Sequence, residues 1–429
     1  MNNSIKKCDF IIIVGAYSSG AKLAKYFLEH GYKCIHVTSQ KVWEIARLHK
    51  TFIAKDFYAN YIIDDEHALD ELICKLSKFN IKAVIAGSEP SVILADKIAS
   101  YFDVYKNDLS KTMARRNKYF MIEEIRKAGL RAPAQLKTNC KHDAVSWLQR
   151  NGYKNVIIKP LASSSSDSVY KCSNKDEVSC AVDAIIGHTD LYNEVNNEAL
   201  VQEYIDGAEY IVNSVSSRGK HYITDIWKGY SNTPNLISTD SYADLVRSCD
   251  DHYDAICEYT KKVLDAIGII NGSAHTELRV SSDGSPCIIE VGARLAGKAN
   301  FDAINLVLGI NQAQLTVESV NSPERFLNYF KRHNSNTSKC MRYVYLASHV
   351  EGMVKKNVSV EHILALDSLY SLHLQFDVGD YLFRTDKIRR KSRPGYAYLI
   401  ADNQDKLELD YQTFKQYEAA LYESVLLLD

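Results

Sequence analysis

The chain has 429 residues, of which 46% are hydrophobic and 24% charged, with a formal net charge of −1. This is globular composition, long enough for two or three packed domains. The balanced charge offers no global field for nucleic acid or an anionic membrane, and runs such as Phe10–Val14 fall far short of the roughly 18 to 20 apolar residues of a membrane span. Neither a nucleic-acid nor a membrane partner is expected.

After Lys6 and Lys7 the first apolar stretch stops at Gly15 and passes into a helical pattern without a cleavage site. No signal peptide is expected, and the cytoplasm is the expected compartment. The ten cysteines are scattered without a C-x-x-C pair, which reads as free thiols in a reducing environment. A homodimer is the default expectation for assembly.

Residues 1 to about 112 alternate short apolar runs with helical periodicity, which predicts a doubly wound parallel sheet. The first turn, Gly15-Ala16-Tyr17-Ser18-Ser19-Gly20, leads into a helix start that suits an anion or serves as a plain tight turn. It lacks the G-x-G-x-x-G spacing of a dinucleotide site. A helix over about 110 to 130 carries Arg115, Arg116 and Lys118 and closes at Gly129. From about 134 to 205 strands and helices alternate in an α+β pattern, with strands at Val156–Ile158 and Leu200–Tyr204 flanking a serine run. A strand-rich block follows to about 320, and 335 to 429 reads as a smaller β-containing cap. The resulting divisions are 1–112, 113–205, 206–330 and 331–429.

The most informative stretch runs from His275-Thr276-Glu277 to Ile289-Glu290-Val291. Asp283-Gly284 between two β-prone runs signals a hairpin with a two-residue turn. With Ser282 opposite Ser285, a constant register sets Glu277 opposite Glu290 and His275 opposite Gly292. The two carboxylates would have Cβ atoms about 5 Å apart on one face. Such a pair repels unless a cation or shared proton offsets it, and Mg²⁺ held by one or two carboxylates plus substrate phosphates is the natural resolution. Arg294 follows on the same strand, on the face of Glu290. The alternative is a solvated hairpin face with a chance pair of acids.

This hairpin, Lys159 in Ile157-Ile158-Lys159-Pro160, the segment Gln202–Tyr210 and the run Glu290–Gly297 together resemble the ATP-grasp superfamily in order and spacing. His275-Thr276-Glu277 and Asp225-Ile226-Trp227-Lys228 resemble its L-amino-acid ligase branch, over about residues 8 to 400. The resemblance implies an ATP-grasp fold, α/β and α+β, with an N-terminal Rossmann-like parallel-sheet domain, a central lid, a catalytic subdomain and a C-terminal cap. It implies Lys118 and Lys159 as phosphate-binding lysines, and Ser164, Ser165 and Ser166 in a phosphate-covering loop where many relatives have glycine. Glu203, Tyr204 and Ile205 correspond to the hinge that holds adenine, and Glu209 to the ribose carboxylate. Glu277 and Glu290 are the implied metal ligands for Mg²⁺, with Mn²⁺ as its substitute, and Gly292 stands where many relatives carry a metal-binding Asn.

The implied reaction consumes ATP, converts a carboxylate into an acyl phosphate and passes it to an amine, so the partners are small-molecule carboxylate and amine substrates. Arg294 would hold the acyl phosphate, and His275 is a candidate helper for the amine or a packed strand residue. Glu89, in Gly87-Ser88-Glu89-Pro90, faces the carboxylate substrate or simply starts a helix. Gly297 and Lys298 lie beside the amine pocket, where Lys298 suits an acidic substrate or is a solvated lysine. Transfer to a carrier protein, a biotin-type carboxylase subunit and a nucleotide binder without ligase chemistry are the competing readings. No Met-Lys-Met biotin attachment motif occurs.

Overall fold

The computed structural model describes residues 8–231, 240–330, 338–356, 359–385 and 393–427. Its first four strands, β1 (Asp9–Val14), β2 (Lys33–Ser39), β3 (Ala59–Ile63) and β4 (Asn80–Ala86), form a parallel sheet in the order β3-β2-β1-β4. β1 is buried on both faces, which is why Phe10–Val14 is apolar throughout. Ile11 and Ile13 pack toward Leu23 and Phe27 of the helix Ser19–Glu29. Phe10, Ile12 and Val14 pack toward Leu69 and Leu72 of the helix Glu66–Leu76. The turns after β1 and β4 meet at the carboxyl end of the sheet, where Gly87 N donates to Val14 O at 2.8 Å. This is the switch point at which such sheets bind ligands, and Glu89 follows directly.

The helix expected from about 110 is divided. A 3₁₀ segment covers Leu109–Arg115, and the α-helix runs over Lys118–Lys127. Asn117 causes the break, because its side chain accepts from the Tyr119 and Phe120 N–H groups and starts a new helix with Lys118 as its first residue.

Four antiparallel strands come next, β5 (Gln135–Thr138), β6 (Val156–Pro160), β7 (Tyr170–Cys172) and β8 (Ala199–Glu203), in the order β5-β8-β6-β7. The helices Lys141–Asn151 and Lys175–Ile185 cover one face through Trp147, Leu148, Val178 and Val182. The other face looks toward the large sheet.

That large sheet is antiparallel and has eight strands. Its first five are β9 (Ala208–Ser217), β10 (Lys220–Ser231), β11 (Asp240–Leu245), β12 (Gly272–Val280) and β13 (Pro286–Gly292). β14 (Cys340–Tyr345), β16 (Leu369–Leu374) and β18 (Gly395–Ala401) complete it, in the order β13-β12-β9-β10-β11-β14-β18-β16. Hydrogen bonding therefore continues across residue 330, through the β11–β14 pair. β15 (Gly352–Val354), β17 (Tyr381–Leu382) and β19 (Leu426–Leu427) make a small separate sheet.

Alternation along the central strands divides the faces. Tyr210, Val212, Ala274, Leu278, Ile288 and Val291 pack under the helices Lys118–Lys127 and Tyr253–Ala266. Their neighbours Glu209, Asn213, His275, Glu277, Arg279 and Glu290 occupy the opposite face. Among the described residues no helix is long and apolar enough to cross a membrane.

Candidate active site

Glu277 pairs directly with Glu290, and His275 with Gly292, as the hairpin register requires. The route to that register differs from expectation. Ser281 N donates to Ser285 O and Gly284 has φ +81°, so the turn is a three-residue loop closed by a left-handed glycine. This shifts the pairs next to the turn by one, with Val280 opposite Pro286 and Leu278 opposite Ile288. A bulge at Ile289 reverses the shift before the carboxylates are reached. Without the bulge, one of the two acids would face the apolar core.

Lys118 bridges two parts of the site: its Nζ lies 2.9 Å from Glu290 Oε2 and donates to the Ser163 carbonyl at 2.6 Å. It is buried, not a solvated helix lysine. Lys159, at the end of β6, is 4% exposed. Burial and the charge of Lys118 push its ammonium down to about 8, against the pull of Glu290 and Glu277. Burial alone would raise the Glu290 carboxyl, but the charges of Lys118 and Lys159, the Lys118 hydrogen bond and Arg294 hold it well below the usual carboxylate range.

The serine loop is built in an uncommon way. Ser165, Ser166 and Ser168 have φ of 57°, 54° and 53°, the left-handed region that favours glycine. These serines therefore hold a backbone conformation that glycine adopts more readily. Asp167 anchors the loop by accepting from Ser163 Oγ at 2.8 Å and Leu191 N at 3.1 Å, and Ser164 Oγ bonds the Tyr192 hydroxyl.

The segment after β8 passes over the end of β12. Gly207, at φ +131°, is needed there, because a Cβ would lie 2.1 Å from Val280 O. Glu203 Oε2 accepts from Ala134 N at 3.1 Å, so that carboxylate ties the end of β8 to the start of β5. Arg279, which the sequence reading passed over, ties the rest together: it donates to Tyr204 Oη at 3.0 Å, Ile205 O at 3.2 Å and Glu209 Oε2 at 3.0 Å. Its position two residues after Glu277 on the same strand face was the available signal.

On the other side of the carboxylates, β13 ends at Gly292 and Arg294 lies in the turn beyond it, with Arg294 N donating to Gly292 O. Arg294 Nε donates to Glu89 Oε2 at 3.1 Å. A Cβ at position 292 would lie 2.7 Å from that Glu89 oxygen and 3.1 Å from Arg294 Cζ. The glycine at position 292 therefore makes room for this ion pair. His275 Nδ1 faces Asn213 Oδ1 at 2.9 Å, and its Nε2 lies 3.4 Å from Glu277 Oε1. Lys298 is exposed as a residue, but its ammonium turns inward to Gln375 Oε1 at 3.4 Å and the Tyr396 ring at 5.8 Å. Loss of water there and the charge of Arg393 push it down to about 8.

Two adjoining cavities collect these groups. One, of about 140 Å³, is lined by Lys118, Lys159, Ser164–Ser166, Glu203–Ile205 and Arg279. The other, of about 400 Å³, is lined by His275, Arg294, Gly297, Lys298, Trp227 and Tyr398. Ser165, Ser166, Glu209, Glu277 and Glu290 border both. Glu89 joins through Arg294. A mixed donor set of lysines and serines on one side of two hard carboxylates, with an arginine on the other, suits a polyphosphate meeting a carboxylate.

Known proteins resemble this chain in sequence and in fold. Residues 153–302 match the model of the ATP-grasp domain. Dapdiamide A synthase of Enterobacter agglomerans is 30% identical over 421 residues, covering 96% of this chain and 97% of that one. Alanine–anticapsin ligase of Bacillus subtilis is 22% identical over 273 residues, 59% of this chain and 57% of that one. The crystal structure of an L-amino acid ligase from Bacillus licheniformis superposes with a TM-score of 0.74 at 17% identity, covering 96% of this chain and 97% of that one, a likeness of fold. ATP with a divalent metal is the cofactor set of this fold. The chain belongs to the ATP-grasp superfamily, in its L-amino-acid ligase branch, and is an ATP-dependent ligase that forms amide bonds.

Proposed function

We propose that the protein joins two amino acids or close relatives, activating the carboxylate of one as an acyl phosphate and passing it to the amine of the other, with release of ADP and phosphate. The observation that carries this reading is the Glu277–Glu290 pair at the junction of the two cavities, with Lys118 and Lys159 on one side and Arg294 on the other.

In this account the smaller cavity takes ATP. The backbone of Glu203–Ile205 meets adenine, Glu209 meets the ribose, and Lys118, Lys159 and the Ser164–Ser166 loop hold the phosphates. Glu277 and Glu290 fit a divalent cation, since both offer hard oxygens on one face and leave the remaining positions to phosphate. We assign Mg²⁺, with Mn²⁺ as its substitute. Bound there, it would neutralise phosphate charge during in-line transfer.

Arg294, a planar cation, orients the substrate carboxylate toward the γ-phosphate and then stabilises the charge on the acyl phosphate. Substrate entry separates it from Glu89, which is then placed to accept from the ammonium of an amino-acid substrate. Gly297 and Lys298 border the amine pocket, where the Lys298 ammonium suits an acidic group. A cytoplasmic location, for which the ten free cysteines speak, and a homodimer, the commonest assembly, complete the proposal.

The test is phosphate release with ATP and Mg²⁺ across the standard amino acids, singly and in pairs, with mass spectrometry of the products. A dipeptide mass for particular pairs is expected. ATP binding with no stimulated phosphate release and no product would overturn the reading in favour of a carrier-protein acceptor or a nucleotide binder.

A further inference from the structure

The larger cavity is polarised. Glu209, Glu277 and Glu290 border it where it adjoins the smaller one, whereas Lys298 and Arg393 border the larger cavity alone. Two other cations on its wall are engaged: Arg294 donates to Glu89, and Arg47 donates to the Leu191 carbonyl at 3.0 Å. The Arg393 guanidinium lies over the Tyr345 ring at 4.1 Å, on the wall of the same cavity. A zwitterionic amino acid has the matching polarity, with its nitrogen toward the acids and its carboxylate toward Lys298 and Arg393.

Lys298 is held in place from three parts of the chain. Its φ of +58° lies in the left-handed region that a residue with a side chain rarely adopts. Tyr398 of β18 fixes that turn, since its hydroxyl accepts from Asn300 N at 3.2 Å and donates to the Lys298 carbonyl at 3.3 Å. Asn300 Nδ2 in turn donates to Ser371 Oγ of β16 at 3.1 Å. From the parallel-sheet domain, Lys22 Nζ donates to the Ala299 carbonyl at 3.3 Å. The Lys298 ammonium so placed meets a neutral acceptor, Gln375 Oε1, and the Tyr396 ring. Among the described residues no carboxylate pairs with it. The charges that act in this region are alike: loss of water and Arg393 lower the Lys298 ammonium, while loss of water, Lys298 and Lys22 lower the His373 imidazole. A partly desolvated ammonium among like charges is costly until an anion joins it.

We propose that Lys298 and Arg393 form an anion subsite that grips a carboxylate of the amine substrate, so that the acceptor is an amino acid and not a simple amine. This deepens the ligase reading above and rests on it. The ammonium supplies a compact charge and the guanidinium a planar pair of donors, a combination that suits a carboxylate. The group held is either the α-carboxylate, common to every amino acid, or a side-chain carboxylate such as that of glutamate. In both cases the C-terminal cap, which supplies Arg393 and Tyr345, takes part in choosing the acceptor.

The test measures kcat/KM of full-length protein for paired acceptors, with ATP, Mg²⁺ and the carboxylate substrate that the product screen identifies. Each accepted amino acid is compared with its own α-amide, and glutamate and aspartate are compared with glutamine and asparagine. Each ratio is taken within one protein, so a loss of folded material cancels. In wild type the acid should exceed its amide by at least about tenfold in one of the two comparisons. Lys298→Met and Arg393→Met should each lower that ratio by at least about fivefold, chiefly through KM, while Lys298→Arg should retain most of it and Lys298→Glu should reverse it. Collapse of the ratio of amino acid to α-amide identifies the α-carboxylate as the group held, and collapse of the ratio of glutamate to glutamine identifies the side chain. A wild-type ratio near one in both comparisons, or a ratio that Lys298→Met leaves unchanged, would overturn the proposal. Wild-type protein that forms no amide with any acceptor would contradict the ligase reading, and calorimetric titration with the same acids and amides would then decide this one. Acids bound more tightly than amides by wild type but not by Lys298→Met would support the subsite, and any other pattern would overturn it.

Discussion

Glu89 and Arg294, 205 residues apart, meet at 3.1 Å in the space that a side chain at position 292 would fill. The parallel-sheet domain thus contributes a carboxylate to a site otherwise built on the large sheet and the four-stranded sheet, and a missing Cβ permits it. Gly292→Ala should displace the Glu89 carboxylate, the flexible partner in this contact. The expected result is a fall in turnover of about tenfold to a hundredfold with ATP affinity little changed, read from steady-state kinetics. The melting temperature should move by no more than about 4 °C, because the clash is relieved by one side chain.

The facing acids lead to a second expectation. Glu277→Gln and Glu290→Gln keep shape and remove charge, so folding should survive while the site loses its hard oxygen ligands. Turnover should fall by at least about a hundredfold, consistent with several kcal/mol of lost charge stabilisation. Chelation of divalent metal should abolish wild-type activity, and titration with Mg²⁺ should require higher concentrations in either variant.

Lys159 makes a prediction about pH. Its ammonium loses the proton near pH 8 in the nucleotide-free protein, well below an ordinary lysine. The charged form, which attracts phosphate, is therefore dominant below that pH and is lost above it. The KM for ATP should rise by about tenfold between pH 7 and pH 9, the change expected when roughly a tenth of the group stays protonated. Lys159→Arg should flatten that dependence at a higher KM throughout, since guanidinium keeps its charge but not the compact geometry.

The serine loop stores conformational strain that glycine would not. Ser165→Gly, Ser166→Gly or Ser168→Gly should leave thermal stability unchanged or raise it by up to about 1 kcal/mol, as each left-handed serine is relieved. Valine at the same positions should destabilise by more than that, because a β-branched residue resists positive φ. Thermal unfolding of the single variants distinguishes these outcomes.

Much of this site was legible along single strands. Period-two alternation placed His275, Glu277 and Glu290 together, and Lys159 stood out as a charge at the end of an apolar run before Pro160. The hairpin turn was misjudged by one residue, and the carboxylates still face each other only because the bulge at Ile289 compensates. Bulges leave no reliable mark in composition. The Glu89–Arg294 contact was hidden for another reason, since it arises from packing between separate sheets and has no local pattern. Arg279 was the readable omission: it shares a face with Glu277 and stands opposite Glu209 in the β9–β12 register.

Transfer of ¹⁸O tests the central claim most directly. With a carboxylate substrate labelled in both oxygens and the amine that the product screen identifies, formation of an acyl phosphate predicts amide product, ADP and phosphate carrying a single ¹⁸O. Amide formed with unlabelled phosphate, or with AMP and pyrophosphate in place of ADP, would contradict the account.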